Sequence, residues 1–155
     1  MTARNHPIEV LVMLRLPNPA DQLQLAYAFD QHNRVHAANQ LTVRCVTDQY
    51  AATQTMTYED FRPQLVVADY WQHDIPSDRF LPPLDFLLLN KPFLSHAKKI
   101  VLLNAPHMVD PLFRAQAGAH VQYVRDAPPL ELIPCYVAAL AHPYRPRTRR
   151  FTVPV

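Results

Sequence analysis

Apolar residues in this chain fall into short runs set apart by polar, proline-marked connections. Ile8 to Leu14 is one run, interrupted by Glu9 and closed by Arg15. It is short, rich in Val and Ile, and suits a central strand covered on both faces. Pro17, Asn18, Pro19 and Ala20 then break the chain and open a helix. Between Asp21 and His32 two stripes follow helical spacing: Leu23, Ala26, Tyr27 and Asp30, and also Leu25, Ala28 and Phe29. Leu41 to Val46 reads as a second strand, with Leu41, Val43 and Cys45 alternating against Thr42 and Arg44. Thr47 and Asp48 end it, and a helix follows from about Gln49 to Phe61. Pro63 to Asp69 gives a third strand that ends in an acid. The segment from Tyr70 to Ala97 carries Pro76, Pro82, Pro83 and Pro92, and predicts a single helix near Leu84 to Leu89. Ile100 to Leu103 is the fourth strand. Asp110-Pro111 has the look of a helix start, and the helix stops at Gly118. His120 to Val124 is the fifth strand. Pro128-Pro129 opens a last helix to about Leu140, which Pro134 must kink or delay.

Strands alternating with helices imply parallel pairing through crossovers, and hence an α/β fold: a doubly wound, five-stranded parallel sheet flanked by helices. In such sheets the functional crevice lies at the carboxyl ends of the strands. Leu14, Arg15, Asp48, Asp69, Asn104 and Arg125 fall there.

Composition narrows the chemistry. The 155 residues suit one domain, and 49% of them are hydrophobic, enough for a sizeable core. Lys and Arg number 15 against 13 Asp and Glu, so no charge excess demands a nucleic-acid surface over the whole domain. There are 16 prolines and one glycine. That excludes Gly-rich phosphate loops and flexible Gly/Ser linkers. Cys45 and Cys135 lie too far apart for a CxxC motif and are expected to be buried, reduced thiols. The first apolar run is far short of the roughly 20 residues of a membrane span. It also lacks a signal-peptide cleavage pattern, so a cytoplasmic location is expected, without membrane partners. No GxSxG, HExxH or P-loop motif occurs. Of the eight histidines, His32 and His36 come nearest to metal spacing. No third ligand stands beside them in sequence, so they are read as solvent histidines and no metal site is assigned.

Three stretches resemble the receiver domain of bacterial response regulators, the CheY-like fold, and more closely the receivers of the LuxR/NarL transcription factors. PQLVVADYWQHDIP resembles the family's third strand and puts Asp69 at the phosphoacceptor position. KKIVLLNAPH resembles its fourth strand, with Asn104 in place of the usual Thr or Ser. AGAHVQYVRDAPPLEL resembles the fifth strand and the start of the last helix, with Arg125 at the usual lysine position. The likeness covers about residues 8 to 141. It implies a receiver over residues 1–141, with a basic Pro/Arg-rich tail or linker over residues 142–155.

The departures from the family pattern carry the functional expectation. A typical receiver has two acids after its first strand, which hold magnesium at the acyl-phosphate site. Leu14 and Arg15 stand there instead. Magnesium wants oxygen ligands in near-octahedral geometry, and Asp69 alone is a poor cage. The chain therefore looks like a degenerate receiver, or pseudo-receiver, with Asp69 a vestigial phosphoacceptor and Leu14, Arg15, Asn104 and Arg125 around its pocket. Arg15 and Arg125 are expected to flank the Asp69 carboxylate with their guanidinium groups, against the alternative that Arg15 points to solvent and Asp69 caps the next loop.

The resemblance implies a non-catalytic regulatory domain of an atypical LuxR-type transcription regulator, without cofactor. It would act independently of phosphorylation, through homodimerisation or signal sensing. DNA would be reached only through a domain or tail beyond the receiver. The alternatives are a stand-alone module that docks on a protein partner, and a receiver still phosphorylatable at Asp69. Two further segments stay open at this level. The Tyr70 to His73 loop is either a ligand or partner surface or a loop whose Trp71 plugs a hydrophobic gap. Leu84 to Leu89 is either core or an exposed face for dimerisation.

Overall fold

The computed structural model describes residues 7–142. The basic tail expected at residues 142–155 falls outside them, apart from His142.

Five strands form one sheet: β1 (Ile8–Met13), β2 (Leu41–Val46), β3 (Leu65–Asp69), β6 (Lys99–Leu103) and β7 (Val121–Tyr123). Their order is β2-β1-β3-β6-β7, and every pairing is parallel. Counted along the main sheet alone this is the order 2-1-3-4-5 of doubly wound folds such as flavodoxin and CheY. The expected fold class is therefore the observed one. Two further strands, β4 (Gln72–Asp74) and β5 (Arg79–Leu81), pair antiparallel as a separate hairpin. The sequence pattern did not predict it. Each strand has only three residues, too few to show alternation, and the turn between them carries Pro76, Ser77 and Asp78.

Five α-helices cover the sheet: α1 (Pro19–Val35), α2 (Gln49–Tyr58), α3 (Leu84–Leu89), α4 (Pro111–Ala117) and α5 (Ile133–Ala141). Their starts follow local chemistry. Asn18, Asp48 and Asp110 each accept a hydrogen bond from a first-turn N–H with the side chain, and Pro19 and Pro111 follow two of these caps. The last helix is delayed as Pro134 requires. A 3-10 turn at Leu130–Leu132 comes first, and Pro134 then sits in the opening turn of α5, where its missing N–H has no intrahelical acceptor to lose.

The period of two along β1 divides the core. Val10 and Val12 face one side, with Leu25 and Phe29 of α1 and Ile133 and Val137 of α5. Leu11 and Met13 face the other, with Met56 of α2, Phe86 and Leu87 of α3, and Phe113 of α4. Of the two stripes on α1, Leu25 and Phe29 are buried, while Leu23 and Tyr27 face solvent. Each large apolar side chain taken fully inside contributes about 1.5–3 kcal/mol. The cysteine expectation is corrected in part: Cys45 and Cys135 are both exposed as residues, while burial of its thiol still pushes the Cys45 pKa up to about 11. Cys45 lies on the edge strand β2 and Cys135 on an outer face of α5, where one side of each element meets water.

The chain's single glycine follows α4, with φ +105° and ψ 163°. This is the extended region of positive φ that only glycine occupies readily. A Cβ on Gly118 would also lie 3.0 Å from the His120 ring. Gly118→Ala is expected to destabilise the fold by about 1–3 kcal/mol, seen as a lowered urea midpoint. Adding His120→Ala should recover only the part due to crowding.

Candidate functional site

The order of the main sheet reverses beside β1. From β1 the chain moves to β2 on one side, and then returns to β3 on the other. The carboxyl ends of β1 and β3 thus form the mouth of the sheet's topological switch point, where doubly wound folds bind ligands. Leu14 and Arg15 leave β1 at this mouth, and Asp69 is the last residue of β3. The neighbouring strand β6 ends there too, with Asn104 just beyond it. The fold therefore brings together Leu14, Arg15, Asp69 and Asn104, as the sequence predicts.

Both oxygens of the half-buried Asp69 carboxylate accept hydrogen bonds from within the chain. The Arg15 backbone N–H donates to Oδ2 at 2.7 Å. The Asn104 side-chain amide donates to Oδ1 at 3.1 Å. A bond to an ionised acceptor is shorter and stronger than a neutral one, and the first of these has that short length. The carboxylate thereby ties the end of β1 to the end of β6 across β3.

The guanidinium flanking expected here is not what holds Asp69. Arg15 reaches the carboxylate with its main chain, while its guanidinium lies over the Phe80 ring of β5, 4.7 Å from the centroid. A cation over an aromatic face is attracted by the ring quadrupole, and here the hairpin supplies the ring. Arg125 is exposed beyond β7, and none of the hydrogen bonds or ion pairs among the described residues joins it to Asp69. Asp48 is turned away as well, its carboxylate accepting from Ala51 N at 2.8 Å to cap α2.

Asn104 has φ +56°, in the left-handed region. Asp60 and Asp78 are the other non-glycine residues there among those described. Asn and Asp tolerate this conformation better than other L-residues. In a chain with one glycine they make its left-handed corners. The corner at Asn104 aims the amide back at Asp69, and Ala105 N then bonds Val124 O at 2.9 Å to fix the following loop.

Gln72 is the site residue that sequence reasoning missed. It is 2% exposed, on β4, one of two buried polar side chains in the described core. Its amide donates to the Asp69 carbonyl at 2.7 Å and reaches the Met13 carbonyl at 3.5 Å. It anchors the hairpin to the switch point. A polar residue in a polar loop gives no periodic signal of burial. At the tip side of the hairpin, His73 bonds Asp78 at 2.8 Å and packs beside Phe80. Trp71 is 39% exposed and stands edge-on to Tyr70, so it is half surface and half packing. A cavity of about 370 Å³ opens beside the hairpin, lined by Asp48, Tyr50, His73, Asp74, Ile75 and Pro76.

Magnesium does not fit these residues. Leu14 is a buried hydrocarbon, 6% exposed, and offers no oxygen. Both Asp69 oxygens already accept from N–H donors. Among Leu14, Arg15, Asp69 and Asn104, Asp69 is the one carboxylate, a poor cage for an ion that wants an octahedral shell of oxygens.

Two outcomes test this geometry. Asn104→Ala should destabilise the protein more than Asn104→Gly, by about 1 kcal/mol in chemical denaturation, because both lose the amide but only alanine pays the left-handed strain. Gln72→Leu should lower stability by about 1–3 kcal/mol, since it leaves the Asp69 carbonyl without the donor that the buried Gln72 amide supplies.

The chain is similar to two solved structures. One is a two component response regulator from Cytophaga hutchinsonii, with 17% identity and a TM-score of 0.47, the likeness covering 88% of this chain and 99% of that one. The other is the response regulator RPA3017 in red light signaling of R. palustris, with 16% identity and a TM-score of 0.48, covering 94% and 99%. No family model matches the chain, and no curated protein matches it in sequence.

Proposed function

We propose that this chain is a non-catalytic, receiver-like regulatory domain that works without phosphorylation. The observation that carries the reading is the Asp69 carboxylate with each oxygen accepting one of the chain's own N–H groups, at the mouth where a receiver would accept phosphate. The strand order and the sequence resemblance support the receiver frame. The hydrocarbon of Leu14 supports the loss of phosphoryl chemistry, because transfer to an aspartate depends on a metal to neutralise developing charge.

In this reading the domain belongs to an atypical LuxR-type transcription regulator and signals by self-association or by sensing a ligand. Apolar side chains on α3 and near α4 support self-association. Phe86 and Leu87 of α3 are core, but Leu89 is 75% exposed, Leu112 of α4 is 65% exposed and Met108 before it is 81% exposed. The segment Leu84–Leu89 is thus core on one face and surface on the other. The cavity beside the β4–β5 hairpin supports ligand sensing.

The test uses beryllofluoride with magnesium, a phosphoryl mimic, monitored by the fluorescence of Trp71, two residues after Asp69. No saturable change is expected for the natural sequence, and no phosphate uptake from acetyl phosphate. The double substitution Leu14→Asp with Arg15→Asp should bring in a magnesium-dependent change. Saturable binding by the natural sequence would overturn the reading in favour of a working phosphoacceptor. Sedimentation should give a dimer that Leu89→Glu converts to a monomer.

A further inference from the structure

We infer that the ends of α1 and α5 form a site for a borderline transition-metal ion, Zn²⁺ in the first instance, with His32, His36 and His142 as its imidazole ligands. His32 and His36 lie one helical turn apart in the last turn and C-cap of α1, with ring centroids 4.3 Å apart. His142 is the C-cap of α5, the helix packed beside α1 on the same face of the sheet. All three line one cavity of about 390 Å³, together with Cys135 and Ala138. The sequence offered only the pair. The fold supplies the third imidazole from the end of a helix far along the chain, at His142.

Several features suit a metal cation here. Imidazole nitrogen is a favoured donor for zinc, copper and nickel, and it ligates when neutral. Two helix C-termini end at the cavity, and their partial negative charge favours a cation. The small side chain of Ala138 leaves the space open.

As their side chains stand, no group of three or more His, Cys, Asp or Glu among the described residues is placed to hold a metal ion. Binding therefore requires the imidazoles to turn about their side-chain torsions into the cavity. His36 is exposed at the C-cap of α1, whereas the His142 Nε2 is buried at the end of α5 and must be brought round into the cavity. Cys135 shares the cavity but not the ion. It lies seven residues before His142 along α5, about 10 Å away at 1.5 Å per residue.

The experiment is a Zn²⁺ titration of the full chain by calorimetry, with the imidazole proton resonances followed by NMR. One Zn²⁺ per chain is expected, with the signals of His32, His36 and His142 shifting together. A rise in melting temperature should accompany binding and be reversed by EDTA. His36→Ala and His142→Ala should each weaken binding tenfold or more, while Cys135→Ser leaves it unchanged. Far-UV circular dichroism checks that each variant is folded. Unchanged affinity in the His142 variant would overturn the three-ligand site, as would resonance shifts confined to His6, His73, His96, His107 or His120. Because none of these residues touches Asp69, failure here leaves the beryllofluoride result standing, and the converse holds.

Discussion

The switch point of the sheet is organised by one carboxylate with nowhere else to go. Asp69 ends β3 between two strands whose own ends are near it, and it bonds to both: to β1 through the Arg15 main chain and to the β6 exit through Asn104. A half-buried anion needs donors more than it needs any particular donor. Here they are the Arg15 backbone N–H and the neutral Asn104 amide rather than a long cation. That choice frees the Arg15 guanidinium to pack on Phe80, and so couples the hairpin to the sheet. Gln72 completes the coupling from below by bonding the carbonyl of the same aspartate. The crevice, the hairpin and the strand ends are one hydrogen-bonded unit.

Much of this was legible in the sequence where local chemistry dominates. The runs Ile8–Leu14 and Leu41–Val46, the caps at Asn18, Asp48 and Asp110, and the delay caused by Pro134 all follow from short-range rules, and the structure has them within a residue or two. Placing Asp69, Leu14 and Arg15 together needed only the alternation of strands and helices, because parallel order puts every strand's carboxyl end on one edge.

The features that were not legible depend on tertiary partners. Nothing in the residue spacing distinguishes the Leu25–Phe29 stripe of α1 from the one containing Leu23 and Tyr27; the sheet decides it. Nor does an arginine's position say where its head goes. The aromatic partner of Arg15 lies 65 residues away, from 15 to 80, in a hairpin with no periodic signature. Cys45 alternates with polar neighbours like a core residue, yet strand order leaves β2 at the edge. His142 joins His32 and His36 only because α1 and α5 pack on the same face.

The corner at Asn104 limits which side chains can replace it. One residue there both bends the backbone to φ +56° and supplies the amide that occupies Asp69. A threonine at that position, with its branched Cβ, would meet the steric barrier that makes positive φ an outlier for such residues. A branched hydroxyl side chain could therefore stand here only in a rebuilt loop, so the backbone itself filters what position 104 accepts.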